Sequence, residues 1–275
     1  MNTDKPNADQ QAAKTRVTTR TLSAMRTRGE AITMLTAYDY PTAKRLDSAG
    51  VDCLLVGDSL AMVVQGHETT LPVTLEQMIY HAEMVARAAT RAMVVVDLPF
   101  PEGQISIERT LEASARILKE TRATAVKLEG GSEQAERIEA LAMAGIPVMA
   151  HVGLRPQNVL IEGGYRIQRD SERLITDARV AEAAGAFAVL IECVPAEIGK
   201  EITESINVPT IGIGAGPYTN GQVLVVNDLL GITDGYLPKF VKNYAQLGTA
   251  MRVAVEDYCQ EVKSRRYPGS EHTFK

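Results

Sequence analysis

The stretch AVKLEGGSEQAERIEALAMAGIPVMAHVG, residues 125–153, decides the fold. It opens on a short apolar run, AVKLEG (125–130). A helical pattern follows, SEQAERIEALAMAG (132–145), and then a second apolar run, PVMAHVG (147–153). Strand, helix and strand in so little chain form a parallel crossover unit. The helical pattern stops at Ala-Gly, where glycine takes the left-handed cap. Both runs are almost continuously apolar, as expected of strands covered on both faces.

The same alternation continues outward. AITMLTA (31–37), CLLVGD (53–58) and MVVVDLP (93–99) precede this unit, and FAVLIECV (187–194) and PTIGIGAG (209–216) follow it. Helical patterns lie between them, at 41–50, 75–90, 106–121, 172–185 and 195–206. Seven strands in 275 residues predict a closed (β/α)8 TIM barrel, with an open doubly wound sheet as the alternative. GQVLVVNDLLG (221–231) is the best eighth strand, and it implies an unusually short connection before it. TTRTLSAMRTRG (18–29) is expected to form a short helix that plugs the barrel bottom. YAQLGTAMRVAVEDYCQEVKSRR (244–266) reads as the closing helix. No linker or composition break interrupts the chain. Residues 17–275 therefore read as a single catalytic domain, and MNTDKPNADQQAAKTR (1–16) as a disordered tail.

Composition bounds the function. Hydrophobic residues make up 45% of the chain and tryptophan is absent, so alanine, valine, isoleucine and leucine must fill the interior. The net charge of −5 comes without a basic patch, which argues against nucleic acid as a partner. No apolar run reaches the roughly 18 residues of a membrane helix, so no membrane partner is expected. The N-terminus lacks an apolar signal core. Cys53, Cys193 and Cys259 are scattered and odd in number, as in a reducing, cytoplasmic setting. Cys53 and Cys193 lie inside apolar runs and read as core residues.

Barrel enzymes build their sites at the C-terminal ends of the strands. Here those ends carry Thr36-Ala37-Tyr38-Asp39, Gly57-Asp58-Ser59, Asp97, Lys127 with Glu129, His151, Glu192-Cys193 and a run of glycines. Lys127 and Glu129 stand two apart in one strand, so they share a face. A single terminal aspartate can simply cap the next helix. Three acids that close three consecutive strands, Asp58, Asp97 and Glu129, are harder to explain so. Neighbouring strands lie about 4.8 Å apart, close enough for their ends to converge on one ion. Oxygen donors without cysteine suggest a hard cation such as Mg²⁺. The alternative is an acid cluster neutralised by Lys127. His151 neighbours the cluster and is either a substrate contact or a satisfied core histidine. Glu192 lies across the mouth and suits proton transfer; a partly buried carboxylate makes a usable base. Its alternative is an ion pair with Arg155 or Arg166. GIGAG (212–216) is either a phosphate cradle or a tight, closely packed turn.

Longer motifs carry a resemblance. MLTAYDYPTA (34–43), LLVGDSLAMVVQGHETTLPVTLEQMIYH (54–81), VVVDLPF (94–100), VKLEGG (126–131), HVGLRPQ (151–157), LIECVP (190–195), IGIGAG (211–216), PKFVKNY (238–244) and YPGSEHTF (267–274) resemble the ketopantoate hydroxymethyltransferase family. The likeness runs from about residue 17 to the C-terminus. It implies a phosphoenolpyruvate/pyruvate-type barrel that needs Mg²⁺ and assembles as a homodecamer. It implies transfer of a hydroxymethyl group from 5,10-methylenetetrahydrofolate to 3-methyl-2-oxobutanoate through a metal-stabilised enolate, on the route to pantothenate and coenzyme A. By the same resemblance Asp58, Asp97 and Glu129 surround Mg²⁺, with Glu129 bound directly or through water. Asp58, Ser59, Asp97 and Lys127 meet the oxo acid, His151 lies near the transferred carbon, and Glu192 is the general base. The text departs from the family's usual wording at PEGQ (101–104), at Arg122, and in a shorter 161–174 segment. Two rival readings are another Mg²⁺-dependent 2-oxo acid barrel, such as a C–C lyase or mutase relative, and a barrel kept only as a scaffold or sensor.

Overall fold

Eight parallel strands close into a barrel in chain order in the computed structural model, which describes residues 15–274. Residues 1–14, most of the expected tail, lie outside the described residues. The strands are β1 (Ile32–Thr36), β2 (Cys53–Val56), β3 (Met93–Asp97), β4 (Ala125–Glu129), β5 (Val148–Gly153), β6 (Ala188–Glu192), β7 (Thr210–Ile213) and β8 (Gly221–Leu224). Each of the seven expected strands is present, and the eighth lies where GQVLVV was expected to supply it. Residues 214–220 link β7 to β8 without a helix, the short connection that the sequence implied.

The helices form where propensity and caps agree. Thr74 and Ser106 accept the N3 amides of helices Leu75–Ala88 and Ile107–Glu120. Asp39, at the end of β1, does the same for helix Tyr40–Ala49, so its place among the strand-end acids is that of a cap. Gly50 ends that helix at φ 94°, a left-handed angle that glycine adopts without penalty. Helix Thr19–Arg28 precedes β1, as expected. Its Leu22 and Met25 join Val17 in a cluster with inward side chains of the strands, among them Met34, Cys53, Met93, Met149 and Val223. That cluster is the barrel floor, one layer below the charged residues. Leu55, Val95 and Ala125 belong to it, and the next inward residues on β3 and β4 are Asp97 and Lys127.

One buried acid holds β3 from its N-terminal end. Asp47 accepts from Thr90 N (3.0 Å), Thr90 Oγ1 (2.6 Å), Arg91 N (3.0 Å) and Ala92 N (2.7 Å). Burial alone would raise its pKa, but the bonds from Ala92 and Thr90 outweigh it and hold the carboxyl below the usual value. Asp47→Ala leaves the buried Ala92 amide and the part-buried Thr90 and Arg91 amides without their acceptor, at a cost of about 1–3 kcal/mol for each group kept from water. The expected loss is about 3–5 kcal/mol, read as a lower urea midpoint at neutral pH. A depressed carboxyl stabilises above its unfolded pKa and loses this as pH falls through its folded pKa. The gap between variant and parent should therefore shrink toward acid.

The described chain divides into two compact units, one ending at Val223 and one beginning at Leu224. The second holds helices Val226–Leu229 and Leu247–Lys263 and a short turn, Ser270–His272. The expected closing helix is thus present. Tyr258 and His272 pack on the ring of Tyr267. Leu247, Met251, Val255, Tyr258 and Val262 recur at helical spacing on the long helix, and all are exposed.

Candidate active site

The strand order and register bring the predicted acids together. Asp97 sits opposite Lys127 across β3 and β4, and Glu129 opposite His151 across β4 and β5. Glu192 closes β6 beside Gly153 of β5. Gly153 has φ 98°, and a side chain there would collide with the Glu192 carbonyl, so only glycine lets the two strand ends approach. β6 stops at Glu192 because Cys193 turns the chain at φ 50°.

Asp58, Asp97, Lys127, Glu129 and His151 are all buried, while the Glu192 side chain keeps 20% of its surface. Asp58 and Asp97 do not cap helices: the Asp58 backbone amide donates to Asp97 Oδ2 at 3.0 Å, which ties the Asp97 carboxylate to the chain leaving β2, and the charge of Asp97 is felt at the Asp58 carboxyl. Lys127 Nζ lies 3.1 Å from Asp97 Oδ1 and 3.1 Å from His151 Nδ1. An ammonium can only donate, so Nδ1 is an acceptor and the ring proton sits on Nε2. Nε2 in turn lies 3.3 Å from Glu192 Oε2, outside hydrogen-bond geometry. Burial, with Lys127 beside it, holds the His151 pKa well below normal, so the ring is neutral. Arg155 pairs with Glu133, so it is not the Glu192 partner that the sequence left open.

The charge balance is uneven. Asp58, Asp97, Glu129 and Glu192 gather around one ammonium. Burial and then Asp97 push Asp58 up to about 7, against Lys127. Burial pushes Glu192 up to about 7, again against Lys127. Glu129 is raised well above its usual value by burial and then by Asp58. Burial would lower the Lys127 pKa, but Asp97, Glu129 and Asp58 together raise it, so this lysine stays charged.

Such a cluster lacks positive charge, and a cation would supply it. Among the described residues, no group of three or more His, Cys, Asp and Glu side chains makes a ready metal cage. Magnesium needs less: one or two carboxylates, with water and ligand oxygens completing its shell. The adjacent pair Asp58 and Asp97 meets that need, and the buried Glu129 Oε1 has no hydrogen-bond partner. The donors are all oxygen, which fits a hard cation better than zinc.

The sequence reading gave no role to three residues at this mouth, of which it placed only Tyr38 at a strand end. Gln157, in a turn after β5, touches both Asp58 and Glu129. It ends the quoted motif HVGLRPQ, yet a neutral amide in a loop carries no signal of its own. Tyr38 Oη is 2.9 Å from Ser59 Oγ. The Tyr165 hydroxyl contacts Met62 Sδ at 3.6 Å. Burial and the charges of Asp58, Glu192 and Glu129 raise the Tyr165 pKa. The GIGAG glycines serve close packing: a side chain at Gly216 would strike Ala196 of helix Ala196–Ser205, and one at Gly212 would meet Thr219.

Comparison with known proteins agrees with this geometry. A family model described as ketopantoate hydroxymethyltransferase matches residues 16–270. A 3-methyl-2-oxobutanoate hydroxymethyltransferase of Rhodopirellula baltica is 65% identical over 262 residues, covering 95% of this chain and 97% of that protein. One of Desulforapulum autotrophicum is 52% identical, covering 94% and 99%. Among solved structures, phosphonopyruvate hydrolase in complex with oxalate and Mg²⁺ superimposes at TM-score 0.62 with 14% identity, covering 92% of each chain. A 2,3-dimethylmalate lyase of the PEP mutase/isocitrate lyase superfamily gives 0.60 with 19% identity, covering 93% of this chain and 91% of the lyase. At such identities the likeness speaks for the barrel alone.

Proposed function

The chain belongs to the ketopantoate hydroxymethyltransferase family, and we propose that it is the Mg²⁺-dependent transferase for 3-methyl-2-oxobutanoate. The hydroxymethyl group comes from 5,10-methylenetetrahydrofolate and water, and the product is 2-dehydropantoate. One observation carries this reading: four carboxyl groups crowd one buried lysine, which pairs directly with Asp97, at the mouth of a barrel whose floor is apolar. Asp58 and Asp97 would hold Mg²⁺, with Glu129 bound directly or through water. When bound, the ion would supply positive charge to the oxygens of the 2-oxo acid as C3 loses its proton.

The remaining work falls to side chains. Lys127 stays protonated and offers a fixed charge to the substrate carboxylate. Ser59, held by Tyr38, lines the same mouth. Glu192 is the group placed to take the C3 proton, since it is partly open and poised near neutrality. The neutral His151 presents its Nε2 proton on the Glu192 side, where it can steady the incoming one-carbon unit. The one-carbon unit leaves both folate nitrogens as water adds to it, which frees tetrahydrofolate. The carbanion at C3 then forms the new C–C bond to that unit, and the unit's oxygen takes up a proton to become the hydroxymethyl group.

We place this reaction in the cytoplasm, on the route to pantothenate and coenzyme A, and the assembly as a homodecamer. The exposed apolar stripe of helix Leu247–Lys263 supports self-association. No helix among the described residues is long and apolar enough to cross a membrane.

The function is tested by proton NMR in D₂O. With saturating Mg²⁺ and no folate, the protein should exchange the C3 hydrogen of 3-methyl-2-oxobutanoate. Adding 5,10-methylenetetrahydrofolate should then yield 2-dehydropantoate. A base must be ionised, so the exchange rate should rise about tenfold per pH unit in acid and level off by about pH 7, the value to which burial pushes Glu192 without a cation. Exchange that stays flat from about pH 5 to pH 8 would assign the proton to another group.

A further inference from the structure

Gln157 is buried, and each polar atom of its side chain is spoken for. Nε2 donates to Asp58 Oδ2 at 2.9 Å and to the Leu98 carbonyl at 3.0 Å. Oε1 accepts from Gln104 Nε2 at 2.9 Å. A carbonyl can only accept, so the Leu98 oxygen settles which end of the amide is nitrogen. The backbone amide of Gln157 donates to Glu129 Oε2 at 3.0 Å. One residue therefore ties down an acid after β2 and an acid on β4, and pins the chain leaving β3.

The pattern of occupied oxygens is selective. Gln157 takes Oδ2 of Asp58 and Oε2 of Glu129, and the buried Glu129 Oε1 is left without a hydrogen-bond partner. A neutral donor does this without adding charge to a cluster that needs a cation. A lysine here would compete with that cation, and a glutamate would add to the repulsion. The anchor for Gln157 comes from Gln104, in the loop PEGQ (101–104) after β3. Arg137 Nη2 holds that loop through the Gln104 carbonyl at 3.1 Å.

We propose that Gln157 is a positioning residue that selects which oxygens of Asp58 and Glu129 face the cation, and that Gln104 acts through it. The assignment rests on the Mg²⁺ reading above. Outer partners of metal ligands commonly change affinity by 10–100-fold.

The test is calorimetric titration of Mg²⁺ into the full chain without substrate, paired with thermal melts in chelator. Gln157→Met keeps the volume and the backbone amide but removes the side-chain amide. It should weaken Mg²⁺ binding about 10–100-fold in a chain that still melts cooperatively in chelator, at a midpoint lowered by the Leu98 carbonyl and the Asp58 oxygen left without a donor. Gln104→Ala, a milder change in a half-buried side chain, should weaken it less. The double variant should bind no worse than Gln157→Met alone, because Gln104 acts through Gln157. If a folded Gln157→Met chain binds Mg²⁺ as tightly as the parent, this assignment is overturned alone. A Gln157→Met chain that fails to fold leaves the decision to Gln104→Ala, whose unchanged affinity would overturn it equally. A parent chain with no saturable Mg²⁺ site removes the metal reading and this assignment together.

Discussion

Glu192→Gln is expected to slow C3 hydrogen exchange of 3-methyl-2-oxobutanoate by about 10²–10⁴-fold, the usual contribution of a general base. The amide has nearly the shape of the carboxylate, so the change removes basicity and little else. Among the described residues no arginine pairs with Glu192, and the neutral His151 lies 3.3 Å from it. Its raised pKa marks a carboxylate that burial disfavours, so the uncharged amide should fold at least as well near neutral pH. Binding of Mg²⁺ and of the oxo acid should persist, which separates a lost base from a lost site. Exchange at near the parental rate would transfer the base role elsewhere, with His151 the next group to test.

Asp58→Asn and Asp97→Asn should each weaken Mg²⁺ binding by more than about 100-fold, beyond the range of an outer partner. Their effects on the metal-free protein should have opposite signs. Asp97 is the ion-pair partner of the buried Lys127, and its loss leaves a buried ammonium less well paired. Breaking such a pair typically costs about 3–5 kcal/mol, an upper bound here because the asparagine oxygen can still accept. Asp58 is different: its carboxyl is raised to about 7 by burial and by Asp97. An acid whose folded pKa lies above its unfolded one destabilises the fold as pH rises from its unfolded pKa to its folded pKa. At pH 8 in chelator, Asp58→Asn should therefore melt above the parent and Asp97→Asn below it. Equal Mg²⁺ affinity in both variants and the parent would remove the two aspartates from the metal site.

Much of the fold was legible because barrel strands are read from simple cues. Apolar runs such as MVVVD, caps such as Thr74 and Ser106, and Ala-Gly helix ends are local signals, and all act within a few residues. The gathering of acids at the barrel mouth was legible too, because charge at the end of an apolar strand has few local explanations. Asp39 shows the limit of that rule. It sits in the same place as the other acids and proved to be a helix cap, since its amide partner lies three residues on.

What the chain's order of residues determined by itself was the list of groups at the mouth: Asp58, Asp97, Lys127, Glu129, His151 and Glu192. A parallel barrel puts every strand's last residues at one end, so topology alone gathers them. Only the tertiary structure decided who touches whom. Lys127 shares a strand face with Glu129, yet its ammonium rests on Asp97 and His151, because register across strands sets the nearest neighbour. Gln157 lies 99 residues from Asp58 along the chain and 2.9 Å from it in space. Hydrogen bonds of that reach depend on closure of the whole barrel, and no local pattern encodes them.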